Sequence, residues 1–191
     1  MTTSLLTVGA HVATAANDEH PKIDYTVDRF ADIEILRYEV PGFEELSLQQ
    51  KQLLYHLSEA ALMGRDIIFD QNCRYNLAIR RALEAIYREY RGDRGDAQFK
   101  ALETYLKRVW LANGIHHHYG EDKFEPTGFT ADYFAKCIRS LDPKHVPVRK
   151  GQTVDAWLKE ITPVIFDPKV MPKRTVQSGS GDLLLASANN Y

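Results

Sequence analysis

The sequence lacks most of the features that assign a catalytic class at once. Its only two cysteines, Cys73 and Cys137, fit no C-x-x-C pattern and are too few for a disulfide framework. Because free cysteine is often buried, we expect two buried thiols. The patterns GxSxG and GxxxxGK[ST] are both absent, which excludes a nucleophile elbow and a phosphate loop as the basis of function.

Neither sign of charge dominates, and long apolar runs are missing. The chain carries 24 Lys and Arg against 26 Asp and Glu, for a net charge of -2. Non-specific nucleic-acid binding needs a basic excess, so we expect no nucleic-acid partner. No stretch reaches the ~18 consecutive apolar residues of a membrane-spanning helix, so we expect no membrane span.

The first residues leave the localisation open. Residues 5–16 (LLTVGAHVATAA) are mildly apolar and contain an A-x-A spacing, but no Lys or Arg precedes them. A disordered tail and the remnant of an export signal both fit this pattern. We expect a cytoplasmic protein if Met1 is the true start, and an exported one if an upstream signal segment is missing.

What the sequence does contain is helical periodicity. Ser47 and Gln50 have the spacing of a capping box at the start of a helix that Gly64 interrupts. Apolar residues at 3.6-type spacing predict further helices at 76–90, between Asp96 and Asn113, at 130–141 and at 153–161. Asp96 and Thr130 are the predicted caps of the second and third of these, and Asn113-Gly114 is the predicted end of the second. Short turns between the first of these helices suit antiparallel packing in a bundle.

The pattern changes after Asp142-Pro143, where four further prolines interrupt the chain and a GSGD turn precedes Leu183-Leu184-Leu185. We therefore predict a mainly α fold with a small β portion toward the C-terminus, in the α+β class. The predicted organisation is a disordered tail or signal remnant at 1–24, a helical domain at 25–145, and a mixed, β-leaning and incomplete segment at 146–191.

Two polar motifs allow more than one interpretation. GRDIIFDQN (64–72) is either the polar lining of a groove or a helix end whose side chains bond nearby backbone. WLANGIHHHY (110–119) contains three consecutive histidines. In a strand only His116 and His118 could share a face, which gives two of the three or four ligands that zinc needs. Metal binding, substrate contact and a structural role all remain open for this triplet.

Four segments together resemble the N-terminal part of the dipeptidyl peptidase III family of zinc metallopeptidases, in its bacterial branch. They are DYTVDRFADIEILRYEVPGFEELS, LLYHLSEAALMGRDIIFDQN, YNLAIRRALEAIY and VWLANGIHHHYGEDKFEP. The resemblance runs from about residue 25 to 191. It implies one lobe of a two-lobed peptidase that releases dipeptides from the N-termini of oligopeptides.

The resemblance also implies what this chain contributes. Family members hold zinc through a HExxGH helix and a downstream glutamate, and no such motif occurs here. We therefore expect no cofactor in this chain and zinc in the full-length parent. By position Tyr119, with His118 and Asn113, would bind substrate, and the partners would be an oligopeptide and the remainder of the parent enzyme. The alternative is a non-catalytic helical peptide-binding or interaction module.

Overall fold

The structure is a computed structural model that describes residues 23–174. The chain divides into two compact units, Met1–Glu39 and Val40–Tyr191. Most of the predicted tail, and the GSGD turn with Leu183-Leu184-Leu185, lie outside the described residues. No helix within residues 23–174 is long and apolar enough to cross a membrane.

The described part of the first unit is an antiparallel hairpin of β1 (Thr26–Phe30) and β2 (Ile33–Leu36). Half-buried and exposed residues alternate along both strands, as period-two side-chain placement requires. Glu34 joins the strands, because its carboxylate accepts from Thr26 Oγ1 and Arg29 Nη2, each at 2.6 Å. We had placed the β portion toward the C-terminus, whereas these strands lie near the start of the described chain.

The second unit is helical. Its α-helices are α1 (Leu48–Met63), α2 (Arg65–Asn72), α3 (Asn76–Glu89), α4 (Ala97–Ala112), α5 (Ala131–Arg139) and α6 (Val154–Phe166), with a 3₁₀ turn at Pro143–His145. The fold is thus mixed, mostly helical with a small antiparallel sheet, which agrees with an α+β class. Within 146–174 the helix predicted at 153–161 is present as α6, which continues through Pro163 to Phe166.

Short-range caps explain where these helices begin. Ser47 and Gln50 form the predicted capping box, in which each side chain accepts the other's backbone N–H. Asp96 caps α4 through the N–H groups of Gln98 and Phe99, and Thr130 caps α5. These caps need only neighbours in sequence, which is why the pattern predicts them.

The core lies where α3 and α4 meet and where α5 and α6 close over them. Its fully buried large side chains include Ile79, Leu83, Ile86, Phe99, Leu102, Leu106, Phe134, Ile138, Ile161 and Ile165. Both cysteines are buried, as predicted. Burial raises the pKa of the Cys137 thiol to about 11, so the thiol stays protonated near neutral pH.

Trp110 lies at the rim of this core. It is 37% exposed, its Nε1–H donates to Glu84 Oε1 at 2.9 Å, and its ring packs edge-on against Tyr87. A deeply buried Trp110 would have cost about 3–5 kcal/mol on replacement by Ala. The observed position does not support a loss of that size.

Candidate functional site

The histidine triplet lies in a loop, residues 115–124, that follows α4 directly. Asn113 ends the helix in the left-handed conformation, with φ 53° and ψ 40°. Gly114 follows at φ +151°, where a Cβ atom would stand 2.1 Å from Asn76 Nδ2. Asn-Gly is therefore required here both for the turn and for the close approach of another side chain.

That side chain, the fully buried Asn76 at the start of α3, fixes where the loop begins. Its Nδ2 donates to the carbonyls of Phe69 at 3.0 Å and Asn113 at 3.4 Å. Its Oδ1 accepts from the N–H of Ile115 at 3.1 Å. One amide thus joins the end of α2, the end of α4 and the first residue of the loop.

The GRDIIFDQN motif reinforces the same junction. Asn72 Nδ2 donates to the Asn113 carbonyl at 3.2 Å. Asp66 accepts from Arg80 at 2.6 Å and Arg81 at 3.0 Å, which ties α2 to α3. These hydrogen bonds hold the pKa of Asp66 below its usual value, with the bond from Arg80 contributing most. The motif mainly joins helices, and it bonds backbone that is distant in sequence as well as nearby.

His116 is a buried tether. It is 2% exposed, and its Nε2 lies 2.8 Å from the carbonyl oxygen of Met171. Burial lowers the pKa of this imidazole, so the neutral form is favoured. The neutral ring can donate Nε2–H to that carbonyl, which supports the structural interpretation for this member of the triplet.

His117 shapes the turn that presents the next two residues. Its Nδ1 accepts from the N–H groups of Tyr119 and Gly120, each at 3.2 Å. Its backbone N–H donates to the Asp122 carbonyl at 2.7 Å. An Nδ1 atom that accepts two hydrogen bonds is committed to the turn, because its lone pair is already used.

His118 and Tyr119 are presented to solvent. Tyr119 is 84% exposed, and its ring centroid lies 4.3 Å from that of His118. His118 in turn stacks on His117, with ring centroids 4.8 Å apart. The loop therefore brings two of the three predicted site residues side by side, while the third, Asn113, lies at its base as the helix cap.

Lys123 anchors the far side of the loop. Its Nζ donates to the carbonyls of Val164 at 3.0 Å and Val170 at 2.6 Å, and also to that of Asp167. The Lys123 backbone N–H donates to the Pro172 carbonyl at 3.0 Å. An ammonium group at the end of α6 satisfies carbonyls that have no partner inside a helix and complements the helix dipole.

Beside this loop lies a groove of about 500 Å³, which we call the loop groove. Its lining residues are Asp122, Lys123, Phe124, Glu125, Pro126, Thr127, Ile165, Phe166, Pro168 and Pro172. Aromatic walls with carboxylates at the edge suit a ligand that has an apolar body and a cationic end. None of the three predicted site residues lines this groove. This groove was not predicted from the sequence. The acidic and aromatic run EDKFEP is the sequence signal that could have indicated it.

The triplet does not assemble a metal site in the part of the chain that the structure describes. His116 is buried against Met171, whereas His118 is exposed. Residues 23–174 contain no group of three or more His, Cys, Asp or Glu side chains that could hold a metal ion. Comparisons with known proteins add no assignment, because the chain matches no protein-family model and no curated protein.

Proposed function

We propose that this chain is the N-terminal part of a dipeptidyl peptidase III-like zinc aminopeptidase and forms one wall of its peptide cleft. The observation that carries the proposal is the exposed pair of His118 and Tyr119 on a loop held at both ends. A phenol ring offers a peptide apolar area and one hydrogen-bonding group. The resemblance of the four sequence segments supplies the reaction class.

The hydrogen bonds that hold the loop in place favour a ligand-binding role for His118 and Tyr119. Asn76 holds the first residue of the loop, and His116 and Lys123 bond to carbonyls that lie beyond α6. All three side chains are therefore already engaged in hydrogen bonds before a ligand binds. A site whose residues are held before the ligand arrives loses less conformational entropy on binding. The loop groove next to it adds an apolar surface and, at Glu125, a carboxylate that suits a peptide ammonium group.

The chemistry of hydrolysis lies outside this chain in the proposal. A bound zinc ion would activate the attacking water, and the HExxGH motif that would hold it is absent from these 191 residues. This chain's part is to bind and orient the peptide. We expect the isolated chain to release no dipeptides, and turnover with one equivalent of zinc would contradict the proposal.

Binding by the isolated chain can be tested by NMR titration with tetraalanine. We expect shifts at the amides of residues 117–125, loss of these shifts in Tyr119→Ala, and retention of most of them in Tyr119→Phe. Tyr55→Ala is the matched control, because Tyr55 is 61% exposed but lies on α1. N-acetyl tetraalanine should bind less tightly if the groove recognises the amino terminus. Unaltered binding by Tyr119→Ala would overturn the proposal.

A second candidate is a helical interaction module without catalysis, and α1 favours it. Leu53, Leu54 and Leu57 are 57%, 44% and 57% exposed, which is unusual for a helix with so many leucines. Reading the genomic sequence past the codon for Tyr191 separates the candidates, because a frame that encodes HExxGH supports the peptidase. Cooperative unfolding of the isolated chain supports a module, whereas a molten transition supports a lobe that lacks its neighbour.

A further inference from the structure

A second cleft, of about 410 Å³, opens between the first turn of α3 and α6. We call it the arginine cleft, because Arg74, Arg81 and Arg149 line it. Among the described residues that line it, Glu160 is the only carboxylate. It shares no lining residue with the loop groove, so it is independent of the proposed peptide site.

The arginines of this cleft are incompletely neutralised. Arg81 shares the single carboxylate of Asp66 with Arg80, at 3.0 Å and 2.6 Å. Arg149 bonds Glu160, whose Oε2 also accepts from Gln152 Nε2 at 2.9 Å. Arg74 is exposed and has no ion pair or hydrogen bond with any residue between 23 and 174. Arg80 also pairs with Glu84, at 3.4 Å, so Asp66 can balance the charge of Arg81. With Asp66 and Glu160 set against the three arginines, one net positive charge remains at the cleft.

The start of α3 also borders the cleft. Leu77 and Ala78, in its first turn, line the cleft, and the N-cap Tyr75 provides no side-chain hydrogen bond to that turn. The N-terminal end of a helix carries partial positive charge. This end of the α3 dipole therefore adds to the arginines in favouring an anion.

Apolar side chains complete the lining. Trp157, which is 2% exposed, and Ile161 contribute from α6, and Tyr75 and Leu77 contribute from the start of α3. A bare inorganic anion would leave this apolar part unused. An organic ligand with a flat apolar group would cover it, and the volume falls in the range of small-molecule sites.

We propose that the arginine cleft binds a phosphate monoester of a small, flat organic molecule. Guanidinium groups match phosphate and carboxylate oxygens in bidentate geometry. A phosphate monoester is favoured over a carboxylate because its three acceptor oxygens can bond more than one guanidinium group at once.

Tryptophan fluorescence gives a direct test with the full chain. The chain has two tryptophans, so Trp110→Phe leaves Trp157, inside the cleft, as the only one. Phenyl phosphate should produce a saturable change that inorganic phosphate reverses by competition. Phenylacetate should bind more weakly, and phenol more weakly still. Equal affinity for phenyl phosphate and phenylacetate would overturn the assignment to phosphate, and equal affinity for phenol would overturn an anion site.

Variants then locate the charge that matters. In the Trp110→Phe background, Arg74→Gln should weaken phenyl phosphate binding about tenfold or more, the ratio expected for one charge-assisted hydrogen bond. Arg91→Gln is the matched control, because Arg91 is exposed but does not line the cleft. Thermal unfolding should be unchanged in Arg74→Gln, since this side chain has no ion pair or hydrogen bond to lose among residues 23–174. Unaltered affinity in a folded Arg74→Gln variant would overturn the proposal.

Discussion

Two predicted helices of this chain, α1 and α3, lie in opposite environments. Both α1 and α3 begin where the sequence predicts and carry apolar residues at helical spacing. In α3 these residues are buried, with Ile79, Leu83 and Ile86 fully inaccessible to solvent. In α1 no residue is buried.

The difference shows what an apolar stripe does and does not specify. Helical spacing determines that a set of side chains shares one face, and it leaves open which surface covers that face. For α3 the cover is α4 together with α2 and α5. Helix α1 contacts α2, and its leucines remain exposed within the described residues.

The largest effect should come from the buried side of the contrast. We expect Leu83→Ala to lower the free energy of unfolding by about 2–5 kcal/mol, because it opens a cavity in a closed core. Leu83 is 0% exposed. Urea denaturation monitored by circular dichroism measures the loss. A loss below about 1 kcal/mol would mean that α3 is not the centre of the core.

The junction at the start of α3 should be the next most sensitive point. We expect Asn76→Ala to cost about 1–3 kcal/mol, because it leaves buried backbone groups without partners. It should also increase hydrogen exchange at the Ile115 amide, which now donates to Asn76 Oδ1 at 3.1 Å. Asn72→Ala is the control, since Asn72 bonds only the Asn113 carbonyl of this junction. Unchanged exchange at Ile115 would contradict the role of Asn76.

We expect acid to destabilise the fold through the buried His116. Burial lowers the pKa of His116, and the charges of Lys123 and Arg174 lower it further, against the opposing effects of Glu121 and the Met171 carbonyl. The unfolded imidazole has a pKa of about 6.5. Below that value the unfolded chain binds the proton more readily. The stabilisation is therefore complete above about pH 6.5 and is lost as the pH falls toward the lowered folded value.

The measurement is the melting temperature between pH 7.5 and 5. We expect His116→Gln to reduce its dependence on pH, because Gln offers an N–H to Met171 without titrating. His118→Gln is the control, as His118 is exposed. Equal slopes for the original chain and His116→Gln would refute the prediction.

The smallest effect should come from α1. We expect Leu57→Ala to change the free energy of unfolding by less than about 0.5 kcal/mol, as is usual for exposed positions. Leu57 is 57% exposed. A loss above about 2 kcal/mol would show that something covers this face in solution. Repeating the measurement at a tenfold lower protein concentration would then reveal whether the cover is a second copy of the chain.

Local features of the fold were predictable from sequence, and distant ones were not. The caps at Ser47, Asp96 and Thr130 depend on residues within three positions, and all three are confirmed. The sequence does not predict the hairpin of β1 and β2, because each strand is only four or five residues long and TVDRF lacks a strict apolar–polar alternation. The helix predicted at 153–161 is also longer than expected, because α6 continues through Pro163 to Phe166.

The candidate site follows the same rule. Asn-Gly predicted the end of α4, and the structure confirms it. The partners that hold the loop are far away in sequence, because Asn76 reaches Ile115 across 39 positions and His116 reaches Met171 across 55. No pattern in the sequence marks such pairs. Substrate contact by Tyr119, His118 and Asn113 stays a prediction.

The hydrogen bonds from Lys123 to the end of α6 have a consequence for folding kinetics. They join residue 123 to carbonyls 41 to 47 positions away, and the intervening chain includes all of α5. Closing so long a loop costs entropy that only the finished contact repays. We therefore expect the turn that carries His118 and Tyr119 to take its final form late, after the helices have docked. The candidate binding surface would then form only when the Lys123 ammonium group bonds its three carbonyls, after the chain has already collapsed.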